Sequence, residues 1–347
     1  MPSIGVMRAI VYAEKGPSSV MRLAERPVPD PGPGQVRVRL VRSGVNPTDW
    51  KARASVSAPV AFAEVTPGQD GAGVIDALGA GVPGLAAGDR VWLYLGQHGL
   101  PFGTAAEYCV LDWHRVVRLP DSLAGEEAFD LGASLGVPAV TAHRALTSGA
   151  GNSRLAPGSM TGQLVLVQGG AGAVGNAAIQ LAAWAGATVL ATVSSDEKAS
   201  LATAAGARHV VNYRTQDAVA VVRGLAPDGV DLIAEVSPAV NNELDVAVAA
   251  NGATIAVYAT DGGGTFPVDV RRTFGLNLRY QFLLLYTLDQ ALLTAAAQDV
   301  TAAVTAGALR VGEKAGLPLH HYPLEATPAA HDAVERGAVG KVLIDIA

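Results

Sequence analysis

The sequence predicts a two-domain α/β protein, a small antiparallel β-barrel followed by a doubly wound parallel sheet. Three observations predict it. The chain has 347 residues and is half apolar, more than one core holds. Its first third breaks into short, partly alternating runs separated by Gly, Pro and Asp, the pattern of closely spaced antiparallel strands. From Leu164 onward, short apolar runs alternate with Ala-rich helical stretches, as strands buried on both faces do.

In chain order, the barrel strands are expected at residues 8–13 (RAIVYA), 35–42 (QVRVRLVR), 73–77, 90–95, 106–111 and 115–119. PDPGPG at 29–34 holds no regular element. Glu126 and Glu127 read as a helix start, where acids suit the dipole. The sheet strands follow at 164–168 (LVLVQ), 188–193 (TVLATV), 209–213 (HVVNY), 230–236 (VDLIAEV) and 253–258 (ATIAVY), with a sixth at 278–285. Residues 289–306 read as a helix, 321–325 (HYPLE) precedes a helix over 328–336, and 341–346 (KVLIDI) is a closing strand. The domains are expected at 1–136 with 289–347, and at 137–288.

The balance of 25 basic and 31 acidic side chains, net −6, argues against general affinity for nucleic acid. Cys109 is the only thiol, which excludes an internal disulfide and a zinc site built from several thiolates. It reads as a small buried apolar residue. The seven histidines show no HxxxH or HExxH spacing. No stretch reaches the roughly 18 apolar residues of a membrane span, and the N-terminus lacks the pattern of a secretory leader, so a soluble, cytoplasmic protein is expected.

After the strand LVLVQ come Gly169, Gly170, Ala171, Gly172, Ala173, Val174 and Gly175, then an apolar helix on which Val174, Ala177, Ala178, Leu181 and Ala185 share a face. Gly170, Gly172 and Gly175 spell GxGxxG in the strand–turn–helix setting that the motif requires. Glycine permits the sharp turn and close backbone approach, and the helix start presents N–H groups to an anion, so a dinucleotide pyrophosphate is the expected ligand. An NAD enzyme places an acid at the tip of the second strand. Here the tip is Val193, Ser194 and Ser195, with Lys198 close behind and Arg214 after the third strand. Hydroxyls and cations suit a 2′-phosphate, so NADPH is favoured. Asp196 reads as the first turn of the next helix, although NAD remains open if the strand runs longer.

With these residues in view, the chain resembles the medium-chain dehydrogenase/reductase superfamily, in its zinc-independent quinone oxidoreductase branch that includes zeta-crystallin. The marks run nearly end to end: PGPGQVRVRL, SGVNPTDW at 43–50, PGQDGAG at 67–73, GDRV at 88–91, GTAAEY at 103–108, the glycine loop, HYPLEATPAAH and the closing GK. The resemblance implies a GroES-like barrel domain for catalysis and a Rossmann domain for the cofactor. Zinc relatives carry Cys where Asn46 stands and His-Glu where Gln69-Asp70 stands, and amides are poor zinc donors, so no zinc is expected.

A quinone or conjugated enone is already polarised, and accepts hydride without a Lewis acid. The resemblance therefore implies NADPH-dependent reduction of a quinone or α,β-unsaturated carbonyl. An enoyl-thioester or pathway-specific ketone reductase is the alternative, and a nucleotide-binding protein with little turnover a third. The implied substrate side comprises Asn46, Asp49, Trp50 and Lys51, with Thr141 orienting the carboxamide or capping a following helix, and Tyr94 in a lid loop as a possible acid. The implied cofactor contacts add Tyr213, Asn241 or Asn242, Tyr258, Ala259, Thr260, Phe282, Leu283, Leu284 and Lys341, the last near the adenosine phosphate or solvated. The apolar segment 279–288, as a sheet edge, could pair with a second copy, and a homodimer is expected.

Overall fold

The computed structural model describes residues 5–55, 60–149, 151 and 153–346. The chain divides into two compact units, Met1–Val137 with Leu319–Ala347, and Pro138–Pro318. The return to the first unit thus comes at 319 rather than the expected 289. An apolar helical pattern does not reveal which core it serves, and the helix after 289 serves the second.

In the first unit β1 (Val6–Val11) pairs antiparallel with β2 (Arg22–Pro27), a strand the sequence reading passed over. β3 (Gln35–Val45) organises the seven-stranded sheet, with Val36, Val38 and Leu40 buried in alternation with outward Arg37 and Arg39. α1 (Pro47–Ala54) follows, and then β4 (Asp70–Leu78), β5 (Arg90–Leu93), β6 (Tyr108–Asp112) and β7 (Val116–Arg118). One edge of β3 is covered by β4; the other is shared between β6 along Gln35–Arg39 and the final strand along Arg42–Val45. Register shifts at Arg37/Val38 and Leu40/Arg42 bend β3, as bulges do. Cys109 lies in this core, as expected.

α2 (Gly125–Leu146) carries the chain from one unit into the next. It runs through Pro138, which has no N–H for its helical bond, and the N–H of Val137 is diverted to Asp70 Oδ1 at 2.7 Å. Thr141 therefore sits buried inside this helix and caps no later one.

In the second unit β8 (Leu164–Val167), α3 (Ala173–Trp184), β9 (Thr188–Val193), α4 (Asp196–Ala204), β10 (His209–Asn212), α5 (Ala218–Leu225), β11 (Val230–Glu235), α6 (Pro238–Val248), β12 (Ala249–Val257), α7 (Val270–Gly275) and β13 (Arg279–Phe282) alternate as expected. The six-stranded sheet is parallel, in the order β10-β9-β8-β11-β12-β13. The order reverses between β8 and β11, and in such sheets ligands bind beyond the carboxyl ends of the strands at that point. α8 (Gln290–Thr305) closes the unit: its Asp299 accepts from His143 Nε2 at 2.8 Å, from Leu155 N–H at 2.8 Å and from Arg154. β14 (Leu319–Pro323), α9 (Thr327–Glu335) and β15 (Lys341–Asp345) complete the first unit, with β15 on β3. Among the described residues no helix is long and apolar enough to cross a membrane.

Candidate cofactor and catalytic sites

The glycine turn is built by steric demand. Gly169 has φ 71°, a left-handed conformation that favours glycine. A Cβ on Gly175 would lie 2.3 Å from Gly169 O, and one on Gly170 2.9 Å from the Ala191 Cβ, so both pack against the protein itself. Gly172 differs. It is exposed, has φ −78°, and an added Cβ would meet nothing closer than Gly169 O at 3.5 Å. It is the N-cap of α3 and provides no side-chain cap, and the first i→i−4 bond of the helix is Asn176 N–H to Gly172 O at 2.8 Å. The amides of Ala173, Val174 and Gly175 precede that bond and are the helix's available donors. A side chain at 172 would therefore enter space that the protein leaves open in front of the turn. Buried residues cover α3 from Gly175 to Ala182, wider than the single face expected, while Val174 is only half-buried.

At the tip of β9 the expected basic and hydroxyl groups meet. Lys198 Nζ donates to Ser194 Oγ at 3.1 Å, and Ser195 is the N-cap of α4, accepting from Lys198 N–H. Asp196 takes the first helical position and accepts from Asn212 Nδ2 at 3.0 Å. Tyr213 N–H donates to Val193 O at 3.1 Å, bringing the exposed Tyr213 and Arg214 to the end of the neighbouring strand. Farther along the sheet, Tyr258 N–H donates to Glu235 O at 3.0 Å, and Leu283 N–H to Val257 O at 2.8 Å. Ala259 and Thr260 continue from β12 as loop, and Phe282 and Leu284 are exposed. Asn241 donates to Glu235 Oε1 at 3.1 Å, whereas Asn242 holds Pro267 O and accepts from the Tyr280 hydroxyl.

The first unit holds a second polar cluster. Asn46 caps α1, with Pro47 at its first position, and its N–H donates to Asp49 Oδ2 at 2.7 Å. The Asn46 amide donates to Asp70 Oδ2 at 2.7 Å and accepts from Lys341 Nζ at 2.7 Å, and Lys341 reaches Asp70 Oδ2 at 3.1 Å. All four are buried. Burial, and then the neighbouring Asp70, push the Asp49 carboxyl up to about 7. Trp50 is half-buried and exposed Lys51 has its ammonium 5.8 Å from the Trp50 ring.

Two expectations are corrected here. Lys341 is neither solvated nor offered to a phosphate, because its ammonium is consumed by Asn46 and Asp70 inside the first unit. Tyr94 is no lid acid, because its ring is buried and its hydroxyl donates to His114 O at 2.8 Å.

Two family descriptions match the sequence, the alcohol dehydrogenase GroES-like domain over residues 32–121 and the zinc-binding dehydrogenase domain over residues 173–300. Human quinone oxidoreductase is 30% identical over 343 residues, covering 98% of this chain and 98% of that one. The chain belongs to the quinone oxidoreductase family of medium-chain dehydrogenases/reductases. Among solved members of this fold, a mycobacterial protein complexed with NADPH is 28% identical with TM-score 0.80, covering 98% of this chain and 100% of that one. An NAD-dependent alcohol dehydrogenase is 30% identical with TM-score 0.81, again covering 98% of this chain and 100% of that one.

Zinc-binding members of this superfamily provide a donor set against which the residues here can be compared. At the positions where the resemblance puts zinc ligands stand two amides, Asn46 and Gln69, and Asp70, which is already bonded to the Lys341 ammonium. That set does not fit the ion, whose sites use thiolate, imidazole and carboxylate. Among the described residues no group of three or more His, Cys, Asp or Glu side chains converges to hold a metal.

Sequence reasoning missed Asp70 as the partner of Lys341, and also Glu235, Asp245 and Gln168 beneath the glycine turn. The signal for Glu235 was an acid ending a strand that is apolar on both faces. The signal for α1 was Asn46-Pro47 followed by Asp49, a capping pattern.

Proposed function

We propose that the protein is a zinc-independent, NADPH-dependent oxidoreductase that reduces quinones or α,β-unsaturated carbonyls. The observation that carries this reading is the unobstructed turn at Gly172, with Lys198 and Ser194 joined at the next strand tip. NADPH, when bound, supplies hydride from its nicotinamide ring.

The amides of Ala173, Val174 and Gly175 would face the pyrophosphate. Lys198 keeps further N–H groups beyond its bond to Ser194, and with the hydroxyls of Ser194 and Ser195 and the guanidinium of Arg214 it would hold the 2′-phosphate; Tyr213 would flank the adenine side. Asp196, the nearest acid, is turned toward Asn212 and the start of α4, which removes the usual NAD partner from the strand tip. Tyr258, Ala259, Thr260 and Leu283 lie at the carboxyl ends of β12 and β13, where the nicotinamide end would rest. Asn46 is bonded to Asp49, Asp70 and Lys341, so Asn46 and Asp49 would act on a substrate by shaping the unit that presents Trp50 and Lys51.

Human quinone oxidoreductase supports the substrate class, and the NADPH-complexed mycobacterial protein supports the cofactor. Alcohol oxidation with NAD, suggested by the dehydrogenase neighbour, is the second reading. The exposed β13 edge, with Phe274, Phe282 and Leu284, is the surface on which a second copy would form a homodimer, as sedimentation can test.

The deciding experiment follows oxidation of NADPH and NADH with panels of quinones, enones and ketones. Preferred use of NADPH with quinones or enones is expected. Equal use of NADH would overturn the cofactor assignment, and turnover of simple alcohols alone the substrate class.

A further inference from the structure

The buried polar groups that the proposed reaction leaves unused concentrate under the glycine turn. Glu235 at the end of β11 and Asp245 on α6 are both fully buried, and Asn241, whose amide donates to the Glu235 carboxylate, stands one helical turn before Asp245 on α6. Two neighbouring buried carboxylates repel each other, and a proton on one of them removes the repulsion and gives it a donor toward the other. The surrounding donors indicate which. Glu235 accepts from the Ser237 N–H and from Asn241 Nδ2. Asp245 Oδ1 accepts from Gln168 Nε2 at 2.8 Å, while its Oδ2 is buried with no N–H or hydroxyl donor. As a bare carboxylate, Asp245 would leave Oδ2 uncompensated beside a second negative group. As an acid, it would carry a donor on Oδ2 to direct at Glu235, which would give the orphaned atom a partner.

The surroundings favour the same state. Burial raises both carboxyls, Asp245 well above the usual range with Glu235 as its next cause, and no cation is among the leading influences on either. Of the other titratable groups, Tyr258 feels Glu235 and, beyond it, Asp261, while Tyr280 feels Asp245, and both phenols are themselves held protonated by burial and by these acids.

Both ends of the pair reach the proposed cofactor elements. From Asp245 the bonds run to Gln168, whose Oε1 accepts from the Thr192 hydroxyl, and the Thr192 carbonyl accepts from Gly170 N–H at 3.0 Å. From Glu235 they run to Ser237 and Asn241 at the start of α6, and the Ser237 hydroxyl donates to Asp261 O at 2.5 Å.

We propose that Asp245 and Glu235 share a single proton, and that this acid pair is the positioning element that holds the glycine turn and the end of β11 in register for the cofactor. The cofactor half of this statement rests on the NADPH reading; the shared proton does not.

The test compares the wild type with Asp245→Asn and Asp245→Ala. Asn keeps a donor toward Glu235 and an acceptor for Gln168 without titrating. Asp245→Asn should therefore melt several degrees higher at neutral pH, because its native state no longer has to take up a proton. The wild type should show an infrared carbonyl band of a protonated carboxyl group that is missing in Asp245→Asn. Its NADPH affinity should weaken at alkaline pH, while that of Asp245→Asn should not. Asp245→Ala should bind NADPH about tenfold more weakly, a loss that Asn in the same place restores. A lower melting point for Asp245→Asn with no loss of the infrared band would overturn the shared proton. Unchanged NADPH binding by Asp245→Ala would overturn the positioning role; if that variant does not fold, parallel pH profiles of wild type and Asp245→Asn would do so. Failure of every form to bind NADPH would overturn the cofactor reading and the positioning role with it, while the melting and infrared comparisons would still decide the shared proton.

Discussion

Lys341 and Asp70 form an ion pair 3.1 Å long whose side chains are 1% and 0% exposed. A charge so placed is tolerable only with its partner. Lys341→Met or Asp70→Asn should each cost about 3–5 kcal/mol of stability, and the double variant should regain part of it. Denaturant unfolding of the three variants measures this, and additive losses would show that the two groups act independently.

The Asp49 carboxyl, pushed up to about 7 by burial and by Asp70, is held less acidic than in the unfolded chain, where its ordinary value is 3.8. A raised acid contributes its full stability below the unfolded value and loses it as pH rises through the folded one. Stability from this residue should fall between about pH 4 and about pH 7, by at most about 1.4 kcal/mol per pH unit. Asp49→Asn should flatten that slope in melting curves taken across the window. Lys341 lowers the same carboxyl, so Lys341→Met should move the slope to higher pH.

Lys198→Ala should separate the two reduced cofactors. Loss of one charge-assisted contact to a phosphate costs roughly 1.5–3 kcal/mol, a weakening of roughly tenfold to a hundredfold. NADPH binding should weaken by that factor and NADH binding hardly at all, as fluorescence titration would show. Equal losses would contradict the placement of the 2′-phosphate.

Two alanine substitutions in one turn should behave oppositely. At Gly175 the new Cβ would lie 2.3 Å from Gly169 O, so Gly175→Ala should lower the melting temperature and cofactor affinity together. At Gly172 the nearest atom is 3.5 Å away and φ is ordinary, so Gly172→Ala should keep its melting temperature and lose NADPH affinity. A Gly172→Ala protein that binds NADPH normally would remove the pyrophosphate from this turn.

Local patterns were legible in the sequence where they recur with a period. The parallel strands of the second unit stood out because residues such as Val165, Leu190, Ile233 and Ile255 are buried in uninterrupted apolar runs. The glycine turn was legible because Gly170 and Gly175 answer close packing and Gly169 a left-handed backbone, all within one short stretch. Partnerships across long separations were not. Lys341 and Asp70 are 271 residues apart, and nothing near either one in the chain announces the other. α8 was found as a helix but assigned to the wrong unit, since Asp299 meets His143 across 156 residues. Tyr94 read as a loop phenol because the His114 carbonyl that receives its proton belongs to another turn.

Cys109 lies 1% exposed within the apolar core of the first unit, and burial holds its thiol up to about 12. Quinones and enones are also electrophiles that add to thiolates, and this chain keeps its only sulfhydryl protonated and out of reach. A catalyst for such acceptors is thereby spared arylation by its own substrate.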